Sequence, residues 1–275
     1  MNSSARRPSI GVFDSGFGGL TVLKELIAQY PDADYLYFGD TARLPYGSKS
    51  VETVARYAVE AMHFLEGQGA DLLVIACNTA TALALDRITG AAHVPVVGVV
   101  EPGAERASAA TKNQRVVVIG TEATVSSHAY RKALEGRNVR AREKACPLFV
   151  PLVEEGWVEH PVTEQVAQIY LREAFSDGFH DADTLVLGCT HYPLLQPLLR
   201  RIAPAHITIV DSAHSTAAVV ARQVRSQNYA PDTRADSRSA GLRFFATDSV
   251  EKFRRLGPRF LGHPLNAVEH VDLKE

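Results

Sequence analysis

The 275-residue chain has only three cysteines, one tryptophan and two methionines. An odd, sparse cysteine count is no disulfide framework, and it makes a reducing cytosol the default compartment. No apolar run approaches the ~18–20 residues needed to span a bilayer, so no membrane role is expected. Charge of one sign is also missing. Lys and Arg number 29 against 31 Asp and Glu, a net charge of −2, which speaks against a broadly basic nucleic-acid binder. The opening MNSSARRP is not followed by an apolar segment, so it reads as a disordered leader rather than a signal peptide. What remains is ordinary for a soluble globular protein, with 46% hydrophobic and 22% charged residues. At roughly 150 residues per domain the length suits about two domains.

Short runs rich in valine and isoleucine recur along the chain and read as buried strands. They are Ser9–Phe13, Tyr35–Phe38, Leu72–Ala76, Pro95–Val99, Val116–Ile119, Thr184–Leu187, Ile207–Val210 and Arg243–Thr247. The longest apolar run, Val94–Val100, is assigned to strand throughout. Stretches with helical spacing lie between many of them: Gly19–Tyr30, Val51–Glu66, Ala80–Ile88, Val162–Phe175 and Ser215–Val224. This alternation predicts an α/β, doubly wound architecture with parallel strands and helices on both faces. Ligands in such folds bind beyond the carboxyl ends of the strands, so the residues after each strand matter most. Ser226–Gly241 is polar and aperiodic and reads as a surface loop.

One internal repeat stands out. ADLLVIACNTA (70–80) and ADTLVLGCTHY (182–192) align at a constant offset of 112 residues, sharing Ala, Asp, Leu, Val and Cys. Each is a buried strand ending in cysteine, followed by threonine within two residues and then by a helical stretch. A lone buried cysteine is usually core packing. Two in matched strand-end positions, each trailed by small polar side chains, favour function, and make Cys77 and Cys189 candidate catalytic thiols. Cys146, in ACPLFVPL, has no such context and reads as structural.

Several chemistries fit two thiols poorly. A metal site needs three or four ligands, and only His191 lies near in sequence, so no metal is expected. A disulfide conflicts with the compartment. A Cys–His hydrolase built on Cys189 and His191 would leave Cys77 idle. A symmetric pair fits a nearly symmetric reaction, in which one base takes a proton from one face of a carbon and its twin returns one to the other. A helix N-terminus after each cysteine is expected to bring the thiol pKa toward the working pH.

Other strand ends carry candidate residues. Asp14-Ser15-Gly16-Phe17-Gly18-Gly19 precedes a helix, where exposed N–H groups bind anions; it is neither a Walker A loop nor G-x-G-x-x-G. Asp14 can orient a thiol or an amino group. The loop DTARLPYG (40–47) offers backbone groups to a small polar ligand. His191 can hydrogen-bond a thiol, or lower its pKa as a cation. Asn78, Thr79 and Thr190 supply compact partners for a carboxylate, and Thr121 is a similar candidate. Glu154 and Glu155, in PLVEEGW, are adjacent carboxylates, of which at least one is expected to be merely solvated.

Taken in order, IGVFDSGFGGLTVL (10–23), DTARLPYG (40–47), ADLLVIACNTATA (70–82), IGTEATVSSHAY (119–130), CPLFVPLVEEG (146–156), LVLGCTHYPLL (185–195) and FFATDSVEKFRRLGPRFLG (244–262) make the chain resemble the glutamate racemases of the cofactor-independent aspartate/glutamate racemase superfamily. The resemblance implies two similar α/β domains facing each other with the site in the cleft between them, one formed by residues 1–98 plus 212–275 and the other by 99–211. It implies Cys77 and Cys189 as the catalytic thiols, Cys77 acting on D- and Cys189 on L-glutamate, with Asp14, His191 and Glu154 assisting. It implies substrate contacts from Asp14, Ser15, Tyr46, Gly47, Asn78, Thr79, Thr190 and His191. It further implies no cofactor, a homodimer, a cytoplasmic location and supply of D-glutamate for peptidoglycan. An aspartate racemase or related isomerase, a Cys–His hydrolase and a non-catalytic amino-acid-binding module are the alternative expectations.

Overall fold

Runs of valine, isoleucine and leucine with no polar alternation can be buried on both faces, and here they form two wholly parallel sheets. The computed structural model describes residues 7–226, 241–265 and 267–273. The first half runs β1 (Ser9–Asp14), α1 (Leu20–Gln29), β2 (Asp34–Gly39), α2 (Val51–Gly67), β3 (Leu72–Ile75), α3 (Asn78–Ala91), β4 (Val96–Gly98) and α4 (Val100–Ala110). The second half runs β5 (Arg115–Gly120), α5 (Glu122–Ser127), α6 (Ala129–Glu135), β6 (Arg140–Ala145), α7 (Phe149–Glu154), α8 (Pro161–Ala174), β7 (Thr184–Gly188), α9 (Gln196–Ile202), β8 (Thr208–Asp211) and α10 (Ser212–Ser226). The chain then adds β9 (Leu242–Ala246), α11 (Val250–Leu261) and β10 (Val268–His270).

One sheet has the order β10-β9-β2-β1-β3-β4 and the other β6-β5-β7-β8. The order β2-β1-β3-β4 in the first is the order β6-β5-β7-β8 in the second. The repeat read from sequence is therefore a topological repeat, with β3 and β7 in equivalent interior positions.

Two expected elements change. Val94–Val100 is not strand throughout, because the strand ends at Gly98 and Val100 starts α4. The helix expected directly after Cys189 is a 3₁₀ turn, Tyr192–Leu195, with Pro193 in its first turn, and α9 follows it. Two strands carry no clear apolar run. β6 (RAREKA) is the charged edge of its sheet, and β10 is a three-residue edge strand. The expected leader falls mostly on residues 1–6, and the Ser226–Gly241 loop mostly on 227–240, both outside the described residues. Pro8 is already in the fold, its carbonyl accepting from the Asp34 N–H at 3.0 Å. Among the described residues no helix is long and apolar enough to cross a membrane.

Aromatic side chains fix the loops beyond the strands. Phe253 on α11 meets Phe17 at 5.5 Å and Tyr37 at 5.8 Å between ring centres, and the Tyr37 hydroxyl donates to the Gly16 carbonyl at 3.1 Å. The β1–α1 loop is thereby clamped against β2 and α11. In the other half the buried Tyr192 hydroxyl donates to the carbonyls of Gly120 (3.0 Å) and Cys146 (2.8 Å), tying the turn after β7 to the ends of β5 and β6. Phe253 is fully buried, so Phe253→Ala leaves a cavity under the β1–α1 loop. We expect it to lower unfolding free energy by ~3–5 kcal/mol in denaturant titrations; a loss below ~1 kcal/mol would remove the clamp from this account.

Candidate active site

The carboxyl ends of β1, β2, β3, β5 and β7 converge on one cavity of about 420 Å³. Its wall includes Ser15, Tyr46, Gly47, Cys77, Asn78, Thr79, Thr121, Glu154, Cys189, Thr190 and His191. Nearly every residue singled out in the sequence thus meets in one place, with residues from both sheets facing each other across it. Sequence reading missed Leu44, Ser48, Glu122, Val150 and the prolines 45, 147 and 151 in the wall. The motifs CPLFVPL and RLPYG held the signal for several of these, in prolines that stiffen a loop without exposing an N–H.

Each thiol sits where a strand gives way to a turn. Cys77 is the N-cap of α3, its sulfur accepting from the Ala80 N–H at 3.4 Å, while its S–H donates to Ser15 Oγ at 3.4 Å. Burial and the nearby Asp14 carboxylate push this thiol up to about 11, against the opposing hydrogen bonds from Ser15 and Ala80. Cys189 is pushed up further. Its burial outweighs the backbone N–H groups of His191 and Tyr192, which point at the sulfur. The expectation that helix N-termini bring both thiols near working pH is not met, because burial outweighs the local N–H groups at each sulfur. Desolvation dominates, and both groups are held as thiols. Cys146 is fully buried outside the cavity wall, with its S–H toward the Lys144 carbonyl at 3.7 Å.

Asp14 does not line the cavity. It lies beneath the β1–α1 loop, 1% exposed, with Oδ2 accepting from the Gly16 N–H at 2.8 Å and Oδ1 unpartnered among the described residues. It lies within charge reach of Cys77, Cys189 and His191. Burial raises its pKa, against the charge of His191 and the N–H groups of Gly16, Gly19 and Ser15. Gly19 is needed here, since a Cβ would stand 2.6 Å from Asp14 Cβ.

His191 Nε2 lies 3.3 Å from Glu154 Oε1, and Lys252 Nζ on α11 lies 2.8 Å from Glu154 Oε2. Burial raises the Glu154 pKa, but His191 and Lys252 outweigh it and hold the carboxyl below its ordinary value. Glu155 is exposed, so of the adjacent pair it is Glu154 that faces the cavity. Lys252 lay in a recognised segment, yet nothing in the sequence marked its partner.

Another part of the wall carries hydroxyl and amide groups. Thr79 and Thr121 hydroxyls are 2.9 Å apart, and each is within 3.3 Å of the Thr124 hydroxyl. Asn78 Oδ1 accepts from the buried Tyr130 hydroxyl at 2.7 Å, leaving Nδ2 unpartnered among the described residues. The Tyr46 hydroxyl is turned away from this task, since it donates to the buried Asp40 carboxylate, which also accepts from Thr247 Oγ1 at 2.9 Å. Tyr46 and Gly47 therefore offer backbone to the cavity, and Asp40 fixes their loop. Among the described residues no three His, Cys, Asp or Glu side chains converge as a metal centre.

The family described as Asp/Glu/Hydantoin racemase matches residues 10–220, and the chain belongs to it. Among relatives, the glutamate racemase of Koribacter versatilis is 59% identical over 98% of this chain and 99% of its own. A crystal structure of a glutamate racemase isoform from Bacillus anthracis superposes with a TM-score of 0.89 at 37% identity, over 97% of this chain and 98% of that one. The glutamate racemase of Francisella tularensis in complex with D-glutamate gives a TM-score of 0.88 at 34% identity, over 98% of each chain.

The thiol environments set an order of reactivity. In substrate-free protein titrated from pH 7 to 10 with iodoacetamide, Cys77 is expected to alkylate first, Cys189 at higher pH and Cys146 last, read by peptide mass spectrometry. Equal rates at all three would contradict the burial argument.

Proposed function

We propose that this protein interconverts L- and D-glutamate by a two-thiol, two-base mechanism. The observation that carries this is the placement of Cys77 and Cys189 at equivalent strand ends of two topologically equivalent sheets, on the wall of one cavity. The relatives named above as glutamate racemases support the choice of glutamate.

In this reading, Asn78, Thr79, Thr121, Thr190 and backbone N–H groups hold the substrate carboxylates. The substrate ammonium, entering beside a buried sulfur, favours the thiolate that burial alone disfavours. In the L-to-D direction Cys189 takes the Cα proton, so a C–H bond breaks and an S–H bond forms. The electron pair left on carbon spreads into the α-carboxylate, which fixed donors stabilise in a water-poor site. The Cys77 S–H then breaks and its proton goes to the opposite face of Cα. The reverse direction exchanges the roles. Asp14 lies within charge reach of both thiols and of His191, and the His191–Glu154 pair stands beside Cys189. The reaction asks for no resident cofactor.

We further propose that residues 1–98 plus 212–275 form one domain and 99–211 the other, a division supported by the split of strands between the sheets. A homodimer in the bacterial cytoplasm, supplying D-glutamate for peptidoglycan, completes the proposal. The bacterial sources of the relatives support the setting.

In deuterated water, early product from either enantiomer should carry label at Cα while recovered substrate carries none. Early label in recovered substrate would point to a single exchanging base. Cys77→Ser and Cys189→Ser should each cut kcat by ~10²–10⁴-fold, followed by optical rotation of L-glutamate without added cofactor. A fully active variant would remove that cysteine from the mechanism. Cys146→Ser should leave the rate nearly unchanged.

A further inference from the structure

The ring of His191 is held on three sides. Gly18 closes the Nδ1 side so tightly that a Cβ there would lie 2.5 Å from Nδ1. Phe260 of α11 meets the ring edge-on, with 5.1 Å between centres and 76° between planes. Glu154 Oε1 stands at Nε2, the polar contact that sets which nitrogen carries the proton. The position of Glu154 therefore bears on the orientation of the histidine beside Cys189.

Glu154 is itself held from across the cleft. It ends α7, which follows an edge strand of the four-stranded sheet, whereas Lys252 stands on α11, which follows a strand of the six-stranded sheet. Among the described residues Lys252 is the Lys or Arg within ion-pair distance of Glu154. The lysine is fixed too, its Nζ lying 5.4 Å from the centre of the Phe17 ring in the clamped β1–α1 loop. It does not line the cavity. The other charged groups near this chain of contacts are Asp14, which faces His191, and Arg259 of α11, which packs on Gly156 just beyond Glu154.

We propose that Lys252 is a positioning residue for the racemase reaction: from α11 it clasps the Glu154 carboxylate across the cleft, and through it fixes the His191 ring beside Cys189. This role rests on the racemase reading above. Without the clasp, the Cys189 side of the site loses its set geometry.

The test compares Lys252→Met and Lys252→Gln, which remove the cation, with Lys252→Arg, which restores it, and with Arg255→Met as an exposed charge loss on the same helix. Met and Gln should each lower kcat by about 10- to 100-fold, the scale of a small misplacement in a reacting geometry, and move the acid limb of the pH–rate profile upward. Arg should recover most of the rate and return the limb, and Arg255→Met should leave both unchanged. L- and D-glutamate have equal free energies in water, so kcat/KM must fall by the same factor in both directions. A further asymmetry can show only in kcat and KM taken separately. Without substrate, the Glu154 carboxyl, followed by ¹³C NMR, should titrate at higher pH in Met and Gln and return in Arg. Wild-type rates and profile in Met and Gln would overturn the proposal, as would an Arg variant as impaired as both while natively folded. An inactive wild type would instead overturn the racemase reading, while the carboxyl titration would still report on the clasp.

Discussion

Burial of the side chains gathered at the two facing sheet edges is the constraint on which the rest of the site depends. It raises both thiols, raises Asp14, and makes every unpartnered polar atom in the wall costly. Asn78 Nδ2 has no partner among the described residues, and an acceptor oxygen of a ligand would meet that need. Low dielectric also strengthens the charge interactions that remain, so Glu154 stays below its ordinary range despite burial. Burial thus disfavours ionisation of the sulfurs and of Asp14, while the His191 and Lys252 contacts favour ionisation of Glu154.

The fold supplies this cleft by repeating itself. In parallel sheets all strand ends of one kind lie on one edge, so two such edges set face to face give a pocket lined by turns. The turns are then held by a few aromatic and hydroxyl contacts. Phe253 and Tyr37 clamp one loop, Tyr192 another, and Asp40 gathers Tyr46, Arg43 and Thr247 around the Pro45–Gly47 segment.

Much of this was legible in one dimension. The valine-rich strands, the alternation that makes them parallel, and the cysteine repeat all follow from local pattern. Strand β6 was not legible, because RAREKA at a sheet edge has charged side chains where an interior strand has valine. The thiol acidity was misjudged because a helix N-terminus is a local feature, whereas desolvation is a property of everything packed around the sulfur. Asp14 was legible as a charged residue after a strand, but not the way the glycines beside it fold the backbone over its carboxylate. Long-range pairs were invisible for a related reason. Thr247 lies 207 residues from Asp40, and Lys252 lies 98 from Glu154. Amphipathic spacing says which way α11 turns its faces but not what stands opposite.

The hydroxyls of Thr79, Thr121 and Thr124 close a small ring, each within hydrogen-bond reach of the other two. Such a ring can run clockwise or anticlockwise with the same number of bonds, because each hydroxyl both gives and receives. In either sense all three hydrogens lie within the ring, so it is an incoming acceptor, by opening the ring, that draws one hydroxyl hydrogen outward. Opening the ring releases a donor and closing it stores that donor again, by rotation of light atoms and with no heavy atom displaced.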